Sequence, residues 1–478
     1  MITSVLTDAQ IVRVNEASLT ILQRVGVHLP HAEALRLFEE AGATVDHEAQ
    51  RVRIPADLVH RCVAQAGKEF TLTGRDESRT ARFGQGCRNY NSIAGEALWV
   101  DELGTPRRYC RLEDVTAAAR LGDALAPINV VGAMADPQEL PPAARCVAVV
   151  AELLRNTAKP ITFWYHDRAS ARYVNEIMVA VRGSEEEARA RPLAYPFLEP
   201  ISPLRFPHNG VDLLFETGKL GLPVPVGPMA QMGLSAPGTV AGTLAQENAE
   251  ILAGICVVQL ISPGVPVVYG GICHAFDMRT TQLIFSGPEQ ALFGVALTQI
   301  GKGWGLPVYI NVGLTDSKVA DAQAGLEAGV TLAMGAAAGA DIFGHLGISG
   351  VDQAASLDML VLQAEIVRYV ESTLREIDFS DAAFGLEVIE EVGPGGRFLD
   401  QIHTARRFRK ELWFPDLLDR YFYDQWLLFG ATTLEQRCRM RREEVLAAHV
   451  PVPLPDDVER EIARIVAAAQ RHLAGEPA

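Results

Sequence analysis

Apolar positions change their period along this chain. Between residues 86 and 356, short apolar runs of strand length alternate with stretches where apolar residues recur every three to four positions. The runs are Cys87–Ile93, Ile128–Met134, Pro160–His166, Leu193–Leu198, Pro223–Pro228, Val265–Gly271, Leu306–Val312 and Ala340–His345. Helical patterns separate them, among them Leu112–Ala124, Ala143–Asn156, Ser170–Val181, Val211–Gly221, Val240–Leu260 and Pro288–Ile300. Alternation of this kind predicts βαβ units and a parallel sheet, because parallel neighbours need a crossover between them. The eight units match the count and length of a (β/α)8 TIM barrel. A doubly wound open sheet competes, but no G-x-G-x-x-G follows a strand.

The flanks read differently. Residues 1–85 mix three helical stretches with a short hairpin around Ala43–Pro55 and two short strand candidates, Phe70–Gly74 and Thr80–Phe83, and predict an N-terminal α+β cap. Glu96–Tyr109 predicts a hairpin turning at Leu103-Gly104, inserted into the first βα connection. From Leu357 to the end the chain predicts a C-terminal helical extension, with a Gly-rich loop at Gly393–Arg397. Its stretch Arg406–Phe429 is rich in aromatics, which favours packing on the barrel or on a second copy, hence a homo-oligomer.

Charge narrows the partners. The net charge of −16 makes nucleic acid and anionic membranes poor ones. Met1–Asp8 has no basic region followed by an apolar core, and no apolar run reaches a membrane span, so a cytoplasmic protein is expected. The 7 cysteines are scattered, odd in number and without C-x-x-C, which fits reduced thiols. No H-x-x-x-H or H-E-x-x-H occurs, so no metal site is expected.

In parallel α/β folds the chemistry gathers where strands end. Those ends carry Asn89-Tyr90-Asn91-Ser92, Phe163-Trp164-Tyr165-His166, Glu199, Gln231, His274 with Asp277, Thr315-Asp316 with Lys318, and His345. Tyr90 and Trp164 could offer aromatic faces to a quaternary ammonium, and Glu199 could balance its charge. Neighbours in a strand alternate faces, so at most two of Phe163, Trp164 and Tyr165 can point inward. The same aromatics could equally pack a core, and Glu199 could equally hold a loop. Nucleophilic catalysis lacks support: no G-x-S-x-G occurs, and Cys273 has only His274 beside it.

Three groups of residues resemble a known family. They are Glu199-Pro200-Ile201-Ser202-Pro203-Leu204; Pro263-Gly264 and Tyr269-Gly270 followed by Asp277-Met278-Arg279-Thr280; and Thr315-Asp316-Ser317-Lys318, Asp321, Gln323-Ala324-Gly325 and Glu327, with Gly339-Ala340 and Gly344-His345 after them. In this order they resemble the trimethylamine:corrinoid methyltransferase family. The resemblance implies a TIM barrel that moves a methyl group from an amine to the cob(I)alamin of a separate corrinoid protein, with no cofactor tightly bound to the chain itself. Archaeal members carry pyrrolysine near the position of Gly313-Leu314; standard residues stand there in this sequence. That is similar to the branch that demethylates quaternary amines such as glycine betaine. The resemblance further implies His345 as the catalytic residue, with Tyr90 beside it in the substrate site. Two readings from other classes stay open: a barrel lyase or aldolase using Lys318, and a quaternary-amine-binding homologue without methyl transfer. A methyltransferase for secondary or tertiary amines is a third.

Overall fold

The computed structural model describes residues 3–473. Five of the expected runs form one parallel sheet, in the order Val224–Val226, Val267–Gly271, Val308–Ile310, Ile342–Leu346, Asn89–Ser92. Val131–Gly132 and Ile161–Thr162 pair in parallel with each other, and a bridge from Asn91 to Val130 attaches that pair to one edge of the sheet. Beyond the other edge, Leu198 bridges to Val226, and the Ile161 N–H donates to the Leu193 carbonyl at 2.9 Å. The Leu193–Leu198 run is not a strand but an extended segment bridged at one residue. Pro192, Pro196 and Pro200 explain this, because each removes a ladder donor.

Side-chain alternation sorts the strands into two faces. Ile310 and Val312 point at the helix layer, where a β-carbon on Gly294 would lie 2.9 Å from a Val312 methyl and one on Gly335 would lie 2.8 Å from an Ile310 methyl. Tyr309 points the opposite way. It joins Val130, Tyr195, Val268 and Ile342 in an inner cluster separate from the main core. Leu72, Ala81 and Phe83 complete that cluster. They belong to the antiparallel hairpin Phe70–Thr73 and Thr80–Phe83, so this part of the N-terminal region packs as a plug into the inner face.

Helix Val240–Ile261 is buried along almost its whole length. Among the described residues it alone is long and apolar enough to cross a membrane, and 89% of its apolar window lies inside the molecule. Its acids hold loops. Glu247 accepts the N–H groups of Ala230 at 3.2 Å and Ile272 at 3.0 Å. Glu250 accepts the Ser202 hydroxyl and, at 2.8 Å, the Leu204 N–H. Farther on, Glu327 accepts the Thr315 hydroxyl at 2.7 Å and the Asp316 N–H at 2.8 Å, while Asp316 accepts from Phe285 and Ser286. Polar groups withheld from water must be paired, and here the pairing fixes the connections after the strands.

The C-terminal region does not start as a separate layer. Helix Leu357–Thr373 packs on Ala322–Ala338 and on the Ile342–Leu346 strand. Helices Leu434–Ala448 and Asp456–Leu473 then return to pack on Leu357–Thr373 and on Pro142–Asn156 with Arg168–Arg182. Between them, residues 374–432 form short helices that bury no side chain of their own, with Leu417 in the preceding loop the buried exception.

Gln363, buried on Leu357–Thr373, donates to the Gly313 carbonyl at 2.8 Å and accepts the Gly347 N–H. Gln363→Ala leaves both backbone groups without partners in the interior, at about 1–3 kcal/mol each. Urea unfolding should therefore show a loss of roughly 2–5 kcal/mol. A loss within about 0.5 kcal/mol, the range of neutral surface substitutions, would contradict this role.

Candidate active site

Where the inner faces of the strands end, aromatic rings stand edge to face in a row. Trp164 meets Phe197 with ring centres 6.4 Å apart, and Phe197 meets Tyr309 at 5.3 Å. The Tyr309 ring lies 6.4 Å from His345, and its hydroxyl is 3.1 Å from His345 Nδ1. The Trp164 indole N–H donates to the Gly95 carbonyl at 2.7 Å, which fixes the outer end of the row. Beside this row opens a cleft of about 530 Å³, lined by Trp164, Phe197, Glu199, Ile201, Met229 and Gln231 among others.

Three carboxylates gather against these rings. Glu199 is reached by water yet enclosed by the cleft walls; that enclosure, with the nearby charge of Asp352, pushes its carboxyl up to about 7. Enclosure, followed by Asp352, Asp136 and Glu199, pushes Glu96 up to about 9. Asp352 itself rises to about 6 through enclosure. Asp136 is matched by Arg145 at 2.6 Å. Glu96, Glu199 and Asp352 have no cationic or hydrogen-bonding side-chain partner among the described residues. Like charges in low dielectric repel and hold protons unless a cation joins them. Rings that present π faces beside uncompensated acids make a site for an ammonium ion.

His345 carries no charge to oppose one. Burial lowers its pKa to about 4, and burial with His345 nearby lowers that of His274 to about 3. His345 has φ 70°, a left-handed conformation unusual for a non-glycine residue. Met134 (φ 56°), Val351 (φ 33°) and Asp352 (φ 52°) share it. Strain of this kind persists where the surroundings dictate a side chain's aim. Gly344 shows how tight that aim is. A β-carbon there would lie 1.7 Å from the Tyr309 hydroxyl oxygen, so only glycine lets Tyr309 reach His345.

The trimethylamine methyltransferase (MTTB) family model matches residues 1–474 of this chain. The chain belongs to that family. It is 30% identical to the glycine betaine methyltransferase of Desulfitobacterium hafniense strain Y51, over 97% of this chain and 96% of that protein. It is 27% identical to the trimethylamine methyltransferase of D. hafniense strain DCB-2, over 96% and 92%, and 30% identical to that of Methanosarcina thermophila, over 95% of each. Among solved structures, the Methanosarcina barkeri monomethylamine methyltransferase aligns over 98% of this chain and 94% of its own, with TM-score 0.47 and 11% identity.

The chain is thus a methyltransferase of the trimethylamine methyltransferase family, and its family motifs divide into two kinds. Glu199 and His345 enter the aromatic, acidic pit. Most of the others hold loops: Ser202 and Leu204 bond to Glu250, and Thr315, Asp316 and Glu327 bond one another. Trp164 and Gln231 line the cleft. His274 stacks on Phe285 at 4.7 Å, and Phe285 meets His345 at 6.4 Å. Gly313 adopts φ 83° and is held from behind by Thr331 and Gln363.

Tyr90 is a correction. It was expected to line the site beside His345, but its neighbour Asn91 faces inward and Tyr90 therefore faces the helices. There it stacks on Phe343 with centres 5.1 Å apart and hydrogen-bonds Glu371, which Arg88 also pairs. The tyrosine that meets His345 is Tyr309, whose hydroxyl is 3.1 Å from His345 Nδ1. Sequence reasoning also missed Glu96, Phe197 and Asp352. Glu96 lies at the base of the inserted hairpin and Asp352 in an irregular turn, where no periodicity points. Tyr309 and Phe197 could have been found by counting two residues at a time from known inward positions.

The pit should leave a mark on stability. A group with a raised folded pKa, such as Glu96 or Glu199, holds its proton in the folded chain after the unfolded chain has lost it. Stability is then fully present below the unfolded pKa and falls as pH rises through the folded one. The window here runs from about 4.5 to about 9. The thermal midpoint should fall across that range, and Glu96→Gln should flatten the upper part of the fall. An unchanged slope in the variant would separate Glu96 from the cluster.

Proposed function

We propose that this protein transfers a methyl group from a quaternary amine to the cob(I)alamin of a separate corrinoid protein. The observation that carries the reading is the meeting of three unpaired carboxylates with the Trp164–Phe197–Tyr309 row, whose outer members Trp164 and Phe197 share an open cleft with Glu199. The glycine betaine methyltransferase name of one relative points the same way. We further read the eight segments as one closed (β/α)8 barrel; the bridges Asn91–Val130 and Leu198–Val226 and the Ile161–Leu193 hydrogen bond support closure. On that reading residues 1–85 form the cap and plug, 86–356 the catalytic barrel, and 357–478 an extension whose first helix belongs to the barrel wall.

The chain's task on this reading is positioning. A quaternary nitrogen leaves as a neutral amine, so its methyl group is already electrophilic and needs no covalent activation. Glu96, Glu199 and Asp352 hold the cation, and the ring faces bound it without competing hydrogen bonds. Neutral His345, fixed by Tyr309, orients the bound molecule rather than pairing with a charge. The corrinoid of the partner supplies the methyl acceptor. The cleft fits such a partner because it is open at the surface and carries Trp164, Phe197 and Glu199 on its walls. Fixing reactants in this way supplies up to roughly 7–11 kcal/mol. The lysine-based alternative finds little support: the Lys318 ammonium is engaged, donating to the Asp316 carbonyl at 2.7 Å.

Absorbance of free cob(I)alamin incubated with the protein and a panel of quaternary, tertiary and secondary amines tests this directly. Methylcobalamin should form from at least one quaternary amine. Glu199→Gln should lower kcat/KM by roughly tenfold or more, as for loss of one close charge partner. Transfer confined to tertiary or secondary amines, or full activity in Glu199→Gln, would overturn the reading.

A further inference from the structure

Beneath the acidic rim lies a buried amide with nothing to bond. Asn311 follows the Val308–Ile310 strand and is 1% exposed. Tyr309, two residues earlier, points to the inner face, while Ile310 and Val312 point at the helices, so Asn311 points inward with Tyr309. Its backbone is locked there: the Asn311 carbonyl accepts from Gln290 Nε2 at 2.6 Å. Neither Nδ2 nor Oδ1 of the side chain has a partner. Asn91 Oδ1, on the neighbouring inner wall, is also unpartnered, and so are both ring nitrogens of His274. An unpaired buried amide costs stability, and a leucine of similar volume would remove the cost. The chain keeps the amide on the inner face, two residues beyond Tyr309.

We infer that Asn311 receives the polar tail of the substrate, so that the molecule sits tail-inward with its methylated nitrogen at the rim among Glu96, Glu199 and Asp352. This rests on the reading of the pit as a quaternary-ammonium site. The orientation suits the transfer, since the methyl group then faces the opening. It also selects the tail. Asn311 offers one donor and one acceptor, Tyr309 a hydroxyl, and His345 and His274 neutral rings. No lysine or arginine stands among these inner groups. A hydroxyl can both give and accept a hydrogen bond there, whereas a carboxylate would lie beneath three acids with no cation to balance it. The favoured ligand is therefore a quaternary ammonium with an uncharged hydrogen-bonding tail, for which choline is the simplest probe.

Calorimetric titration of the full chain and of Asn311→Leu with choline, glycine betaine and tetramethylammonium tests the assignment. Choline should bind the parent more tightly than glycine betaine. Asn311→Leu should weaken choline by about tenfold, the worth of one buried hydrogen bond, and leave tailless tetramethylammonium within about twofold. Its thermal midpoint should hold or rise. Equal choline affinity in both proteins overturns the inference, as does tighter binding of glycine betaine, or a lowered midpoint with all ligands weakened. If the leucine variant does not fold, Asn311→Ser gives the same comparison. Failure of tetramethylammonium to bind even the parent would instead sink the quaternary-ammonium reading beneath it.

Discussion

Three carboxylates brought together without a cation set the terms for this molecule. Glu96, Glu199 and Asp352 come from three different connections, and no salt bridge to a basic side chain answers them. Each is pushed up, to about 9, about 7 and about 6, so the group holds protons where free carboxylates would have lost them. A permanent cation restores the balance. The aromatic row beside the acids gives that cation a face it can approach without surrendering hydrogen bonds.

Such a site needs a stiff frame, since like charges push their loops apart. The frame comes from buried polar side chains on the helices behind the strands. Glu247 and Glu250, one turn apart on Val240–Ile261, tie down the connections at Ala230, Ile272 and Ser202–Leu204. Gln363 joins Gly313 to Gly347 across two strand ends. These pairs explain why so many polar residues of an apolar helical layer are fully buried. They also let His345 and Asp352 stay in left-handed backbone, because neighbours on both sides fix the chain.

The architecture was legible in the sequence where periodicity was strong. Seven of the eight apolar runs contain parallel strands, and the helical stretches between them are helices. The exception, Leu193–Leu198, failed because its prolines remove ladder donors. The segments Phe70–Thr73 and Thr80–Phe83 were legible as short strands but neither as a hairpin nor as a plug, since alternation says which face is apolar and not what that face meets. Within the site, Glu199 and His345 stood out because they end apolar runs and adjoin proline or glycine. Tyr90 misled for the opposite reason. It sits at the right height on its strand but one residue out of phase, and a single step in a strand moves a side chain to the other face. Glu96 and Asp352 were illegible because irregular turns carry no period at all.

The most direct measurement is the proton balance of cation binding. Titrating tetramethylammonium into the protein at pH 7 in buffers of different ionisation enthalpy counts the protons released per cation bound. Carboxyls raised to about 7 and about 9 should surrender protons as the cation enters, so the heat should vary with the buffer in the direction of release. Binding with heat independent of the buffer would mean that the acids were ionised all along, and the central claim would fail.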